Sequence, residues 1–172
     1  MSSIPLTPRP SHKLIKNTTF VNPPAERYST NAATALMDGK KGVVGDYYWR
    51  NWLGFNGNDM EATIELNEPV DITRIRIGLA HKPESWVVWP KGIWVAFSKD
   101  GKAFTEWQHA ELPVYDIPDP MASMGRVEAR AMVSEKDVRF LKVKIINQSV
   151  LPEWHPNAGE NAWIMVDEVC LE

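Results

Sequence analysis

The chain has 172 residues, 44% hydrophobic and 24% charged, which fits one globular domain with a sizeable core and excludes wholesale disorder. Nineteen Lys and Arg against 22 Asp and Glu leave a formal charge of −3, without the basic excess or stripe of a nucleic-acid binder. The single cysteine, Cys170, excludes an intrachain disulfide, and no apolar run reaches the roughly 20 residues that a membrane span needs. Eight Trp and 13 Pro stand out, and that many indoles must be packed in a core or held ready for a ligand.

Met1 to Pro10 has no apolar secretory segment, and Pro5, Pro8 and Pro10 forbid a helix there. Residues 1–11 read as a linker and 12–172 as the domain. Along the rest of the chain period-2 alternation dominates, the pattern of half-buried strands. Ala62, Ile64 and Leu66 share one face, with Glu61, Thr63 and Glu65 on the other; Ile75, Ile77 and Leu79 alternate with Arg74 and Arg76. The pattern recurs at Ile93–Val95–Phe97, Val127–Ala129–Ala131–Val133 and Leu141–Val143–Ile145, and Trp163 to Leu171 closes the chain as a last strand. Asn56 to Asp59, Asn67-Glu68-Pro69 and Lys99-Asp100-Gly101-Lys102 read as turns. Residues 110–125 and 147–162 read as long loops, which in a compact domain are usually functional. Short strands joined by turns, with no helical period between them, predict an all-β antiparallel sandwich or barrel.

Four groups of residues carry possible chemistry. Asp38, in an Asp-Gly turn, and Glu168, in the last strand, meet if the first and last strands are neighbours. With the carbonyls of Ala35 and Lys40 they could then offer a hard cation such as Ca²⁺ its oxygens. Against this stands an ordinary turn aspartate and a surface glutamate. In the loop from Leu151 to Gly159, Trp154 can give a sugar an apolar plate. His155, Asn157 and, just beyond, Asn161 can supply hydrogen bonds, a small-ligand recipe. A third group, His81, Glu84 and Trp86, follows directly after an alternating strand. A fourth, Tyr47 to Trp52, includes Trp49 and Arg50, while Trp52 and Phe55 at i, i+3 are expected in the core. The sequence has no G-x-S-x-G, P-loop or H-E-x-x-H, and its four His are scattered.

Several runs taken in order resemble one family. They are Arg27-Tyr28-Ser29, Ala35 to Gly42, Trp52 to Glu61, Ser85-Trp86 to Pro90, Ser98 to Gly101, Leu151 to His155 and Ala162 to Glu168. Together, over about residues 12–171, they resemble the C-terminal domain of bacterial β-N-acetylhexosaminidases (chitobiases). That domain is similar to the coagulation factor V/VIII type C (discoidin) superfamily and to family 32 carbohydrate-binding modules. The resemblance implies a galactose-binding-like β-sandwich, a jelly roll of two packed antiparallel sheets. It implies a non-catalytic domain that binds a terminal galactose- or N-acetylhexosamine-type glycan, with an upstream catalytic domain of the same polypeptide as its partner. It also implies a secreted, periplasmic or cell-surface location within a longer bacterial protein. A structural Ca²⁺ held by Asp38 and Glu168 is implied as well, although Val43, Val44 and Gly45 stand where relatives carry a threonine. Sugar contacts are implied in the loops holding Trp49 to Asn51, His81 to Trp86 and Trp154 to Asn161. The rival readings are a structural domain packed on a catalytic barrel with no sugar site of its own, and a discoidin-like adhesin for protein or lipid headgroups. Loop aromatics interleaved with Asn, His and Glu favour sugar over the adhesin.

Overall fold

The structure is a computed structural model and describes residues 14–45, 49–112 and 119–172. The expected linker over residues 1–11 lies outside these, as do Tyr47, Tyr48 and residues 113–118 of the first expected long loop. Nine strands are present among the described residues: β1 (Ile15–Phe20), β2 (Val43–Val44), β3 (Trp49–Arg50), β4 (Leu53–Asn56), β5 (Met60–His81), β6 (Gly92–Ser98), β7 (Gln108–Ala110), β8 (Gly125–Ile146) and β9 (Trp163–Leu171). The only helical pieces described are 3₁₀ turns at Glu26–Tyr28, Ala35–Met37 and Pro83–Ser85.

Two strands organise the rest. β5 and β8 are 22 residues each and pair antiparallel, from Met60 opposite Ile145 to His81 opposite Gly125. The first half of β5 also pairs with β1, and the last part of β8 with β6, which pairs with β7. The second half of β5 pairs with β9, which pairs with β4. Two antiparallel layers result, and their inner faces meet in one core. Ile64, Leu66, Ile93, Val95, Leu141 and Val143 come from one layer, and Phe55, Ile75, Ile77, Ala129, Val166 and Val169 from the other. This is the expected β-sandwich.

The expected turn at Asn67-Glu68-Pro69 is not a chain break: β5 runs through it. The ladder loses register three times between Glu65 and Arg74, and the bulged stretch carries the strand from one layer to the other. Pro69 has no N–H to donate and is tolerated at such a site. β8 likewise joins the two expected strands around residues 126–133 and 141–145.

Because β5 and β8 cross between layers midway, all four of their ends come to the same edge of the sandwich. Trp89 links two of them, its N–H donating to His81 Nδ1 (3.2 Å) and its carbonyl accepting from Gln148 (3.4 Å), and Asn147, just past β8, fastens the other side. Its side-chain amide donates to the carbonyls of Phe55 (3.3 Å), Asn58 (3.0 Å) and Ala162 (3.1 Å), and its own N–H donates to Asp59 Oδ1 (2.8 Å). One buried side chain thus ties the entries of β5 and β9 to the exit of β8. Asn147→Ala removes three hydrogen bonds at a buried site, a loss expected to cost roughly 1–3 kcal/mol. Urea unfolding should show the midpoint falling with an unchanged slope.

Candidate functional site

The rim at this end is built by the loops 82–91 and 147–162. His81 ends β5 and continues its inward-facing parity. The ring is fully buried and stacks on Trp89, with centroids 3.9 Å apart and planes at 22°. Its Nδ1 accepts the Trp89 N–H (3.2 Å), so Nε2 carries the proton and donates to the Pro120 carbonyl (3.1 Å). Burial holds its pKa below the usual histidine value. His155 is buried in the same manner. Nδ1 accepts the Asn157 N–H (2.9 Å) and Nε2 donates to the Pro83 carbonyl (2.7 Å), which pins one rim loop to the other. The hydroxyl binding expected of His81 and His155 has no nitrogen to draw on in this geometry. Both rings hold the loops instead.

The indoles behave differently. Trp86 and Trp154 are half-buried and both rest on a small apolar base of Val88, Leu151 and Ala162. Trp89 lies 6.1 Å from Trp154 between ring centroids. Trp86 has φ +66°, a left-handed conformation that is unfavourable for a bulky residue. It is held there from both sides: its N–H donates to the Pro83 carbonyl (2.9 Å), and its carbonyl accepts the Trp163 N–H (2.9 Å). The residue thereby caps the 3₁₀ turn Pro83–Ser85 and fixes where the indole stands. Glu84, Asn157 and Asn161 are exposed around these plates.

Trp49 and Arg50 lie apart from this group. Trp49 meets Trp52 edge-on (6.1 Å, 64°) and forms, with Arg50, one side of a cleft of about 320 Å³ that Arg27, Tyr28, Asp38 and Lys40 also line. Trp52 and Phe55 are core residues, as expected, at 4% and 1% exposure. The Trp52 Nε1–H donates to the Val43 carbonyl (3.0 Å). Gly42 lies against the indole so closely that a β-carbon there would fall 2.1 Å from the ring.

Asp38 and Glu168 do come together. The 3₁₀ turn Ala35–Met37 packs on β9, which brings the Asp-Gly turn over Glu168. Lys40 N–H donates to Asp38 Oδ1 (2.8 Å) and Gly39 N–H to Glu168 Oε2 (3.3 Å). Glu168 is buried, and its Oε1 has no well-formed hydrogen bond. Burial first, and then the hydrogen bond and charge of the adjacent Asp38 carboxyl, push the Glu168 acid up to about 9. A pair of carboxyls pressed together with an orphan buried oxygen is what a hard cation relieves, so the residues fit the implied Ca²⁺. Among the described residues no third His, Cys, Asp or Glu joins them, so carbonyls such as those of Ala35 and Lys40 would have to complete the shell. The neighbouring Asp167 is committed elsewhere: it accepts from Arg126 Nε (2.6 Å) and from Gly42 N–H (2.7 Å).

This acid makes stability depend on pH. Its folded pKa of about 9 lies above the ordinary 4.5, so the folded state favours the protonated form. The associated stability is complete below about 4.5 and is lost as pH rises toward 9. In metal-free buffer the melting temperature should fall between pH 5 and 9, and Glu168→Gln should flatten that slope. A wild-type slope no steeper than that of Glu168→Gln would show that Glu168 titrates normally.

No family model and no curated protein matches the chain. Solved structures do. The lectin domain of lectinolysin complexed with Lewis B antigen superposes with a TM-score of 0.56 at 15% identity, over 96% of this chain and 98% of that one. A family 32 carbohydrate-binding module from a family 31 glycoside hydrolase of Clostridium perfringens gives 0.51 at 14% identity, over 95% and 94%. The N-terminal domain of a single-strand break repair protein gives 0.53 at 9% identity, over 93% and 98%. Likeness at this identity establishes the fold, and the chain is a galactose-binding-like β-sandwich. Because the same fold carries sugar binding in one relative and serves DNA repair in another, function has to be argued from the site.

Proposed function

We propose that the domain is a non-catalytic carbohydrate-binding module. The observation that carries this reading is the rim: Trp86 and Trp154, both part-exposed, stand on a common apolar base whose loops are fastened by His81, His155 and Asn147. Rigid indoles suit the CH face of a pyranose, and Glu84, Asn157 and Asn161 supply the adaptable hydrogen bonds. The complex of the lectinolysin domain with Lewis B antigen supports the reading by analogy of fold. The finer reading is an accessory domain of a β-N-acetylhexosaminidase-type glycoside hydrolase. It would act outside the cytoplasm on terminal galactose- or N-acetylhexosamine-type sugars, and binding would keep substrate near a catalytic domain by raising effective concentration. The rival, a structural domain with no sugar site, differs in one respect: it predicts no sugar binding at all.

Shallow loop sites bind weakly, and a Kd of roughly 0.1–1 mM is expected. Trp154→Ala should weaken binding about fivefold, enough to lose it in calorimetric titration at this affinity, because stacking of the sugar on the indole contributes on the order of 1 kcal/mol. The melting temperature of Trp154→Ala should stay close to wild type. Trp52→Ala, by contrast, removes a buried aromatic and should cost about 3–5 kcal/mol of stability. If Trp154→Ala unfolds the domain as badly as Trp52→Ala, the indole is a core residue and the structural rival stands.

The metal is proposed on the same footing. Ca²⁺ would neutralise the Asp38–Glu168 pair and fasten the 35–40 segment to β9. It competes with the Glu168 proton, so added Ca²⁺ should raise the melting temperature more at pH 8 than at pH 5. Asp38→Ala and Glu168→Ala should each remove that rise; an unchanged melting curve with Ca²⁺ and with EDTA would refute the site.

A further inference from the structure

The cleft beside Trp49 has a charge character that the rim lacks. Arg27, Lys40 and Arg50, all exposed, converge on its volume of about 320 Å³ in a chain whose net charge is −3. Among the described residues Asp38 is the one carboxylate that lines it, and it is engaged with Glu168 and the Lys40 N–H. Among the described residues, neither the Arg27 guanidinium nor the Lys40 ammonium forms an ion pair. Arg27 is instead held over the ring of Tyr28, 5.5 Å from its centroid.

The walls are as telling as the charges. Tyr28 and Trp49 are half-buried aromatics, each braced from behind: Tyr28 edge-on by Trp163 (5.6 Å, 87°), Trp49 by Trp52. Asn31 and Asn51 flank the cleft, both left-handed with φ +52° and +63°. The backbone at Asn31 starts the turn that places Asp38, its carbonyl accepting from Thr34 and Ala35. Asn51 donates its amide to the Lys41 carbonyl (3.1 Å), which leaves its oxygen as an acceptor.

We propose that this cleft is a second sugar site, selective for an acidic pyranose, a uronic acid residue. The ring face lies on Trp49, the carboxylate meets Arg27 and Lys40, and the amides of Asn31 and Asn51 take hydroxyls. Guanidinium and ammonium donors recognise a carboxylate by charge-assisted hydrogen bonds. Trp163 separates the cleft from the rim, touching Tyr28 on one side and giving its N–H to the Trp86 carbonyl (2.9 Å) on the other. The proposal rests on the reading of the domain as a glycan binder and adds a ligand class that the rim does not supply.

Galacturonic acid and galactose test it, because they share a ring and differ at one carbon, carboxylate against hydroxymethyl. Each is titrated into the ¹⁵N-labelled full chain at low salt with Ca²⁺ present, and amide shifts are mapped. Galacturonate should perturb amides between residues 27 and 51 and weaken with added salt. Galactose should perturb those of residues 84–90 and 154–161. Arg27→Ala and Lys40→Ala should each weaken galacturonate about tenfold, the equivalent of one charge-assisted contact, and leave galactose unchanged. Lys40→Ala keeps the backbone carbonyl. Inorganic sulfate is the control for a plain anion. Sulfate binding as tightly as galacturonate, galacturonate shifts confined to the rim, or unaltered affinity in both variants would overturn the acidic-sugar site while leaving the rim reading intact. Absence of shifts with every sugar would overturn both.

Discussion

Pairing between β5 and β8 is the constraint on which the molecule turns. Sixteen paired positions run from Met60–Ile145 to His81–Gly125. A slip of one residue would turn Ile64, Ile75, Ile77 and Leu79 out of the core. The bulges near its middle let one long ribbon furnish both layers. The consequence for function is geometric. A strand that descends in one layer and returns in the other delivers its two ends, and the loops attached to them, to a single edge. The rim is therefore a product of topology: loops 82–91 and 147–162 are neighbours because the strands before them are two limbs of one folded ribbon.

What fixes those loops is a set of buried polar groups, each with partners. Asn147 reaches three carbonyls, His81 joins Trp89 to Pro120, and His155 joins Asn157 to Pro83. A buried donor or acceptor without a partner is costly, so these contacts select one loop conformation over its alternatives. A platform ordered in advance loses less conformational entropy on binding, which matters most where the ligand buries little surface. Glu168 Oε1 is the exception, a buried oxygen left without a well-formed bond. Among the described residues it is the one buried side-chain oxygen so left, and it lies at the Asp38 pair.

The layers and core were legible because alternation survives wherever one face is buried: Ala62, Ile64 and Leu66 against Glu61, Thr63 and Glu65. The unity of β5 was not. Asn67-Glu68-Pro69 has turn chemistry, and local chemistry cannot distinguish a reversal from a bulge that changes layers. The inward turn of His81 was available in principle, since it keeps the parity of Ile75, Ile77 and Leu79. A histidine following a strand nevertheless looks equally suited to solvent. The fixed ring of His155 depends on Pro83, 72 residues away, and no local pattern carries that. The basic cleft is the same kind of case. Arg27, Lys40 and Arg50 sit in three segments, and the fold alone brings them together.

The cleft and the cation pair share Asp38, and on the proposed reading this couples them. Near neutral pH, with its acid at about 9, Glu168 keeps its proton. Bound Ca²⁺ would displace that proton, and exchanging one H⁺ for a divalent cation would leave the wall of the cleft one unit of charge more positive. An acidic sugar beside Arg27 and Lys40 then feels a weaker opposing charge. By linkage the sugar must favour the cation as much as the cation favours the sugar. The effect is short-ranged and sensitive to salt, since the groups are partly exposed. It gives a physical reason for a buried carboxyl pair to sit at the edge of a basic cleft: a bound ion would hold the 35–40 segment in place and would also strengthen the positive field that the ligand meets.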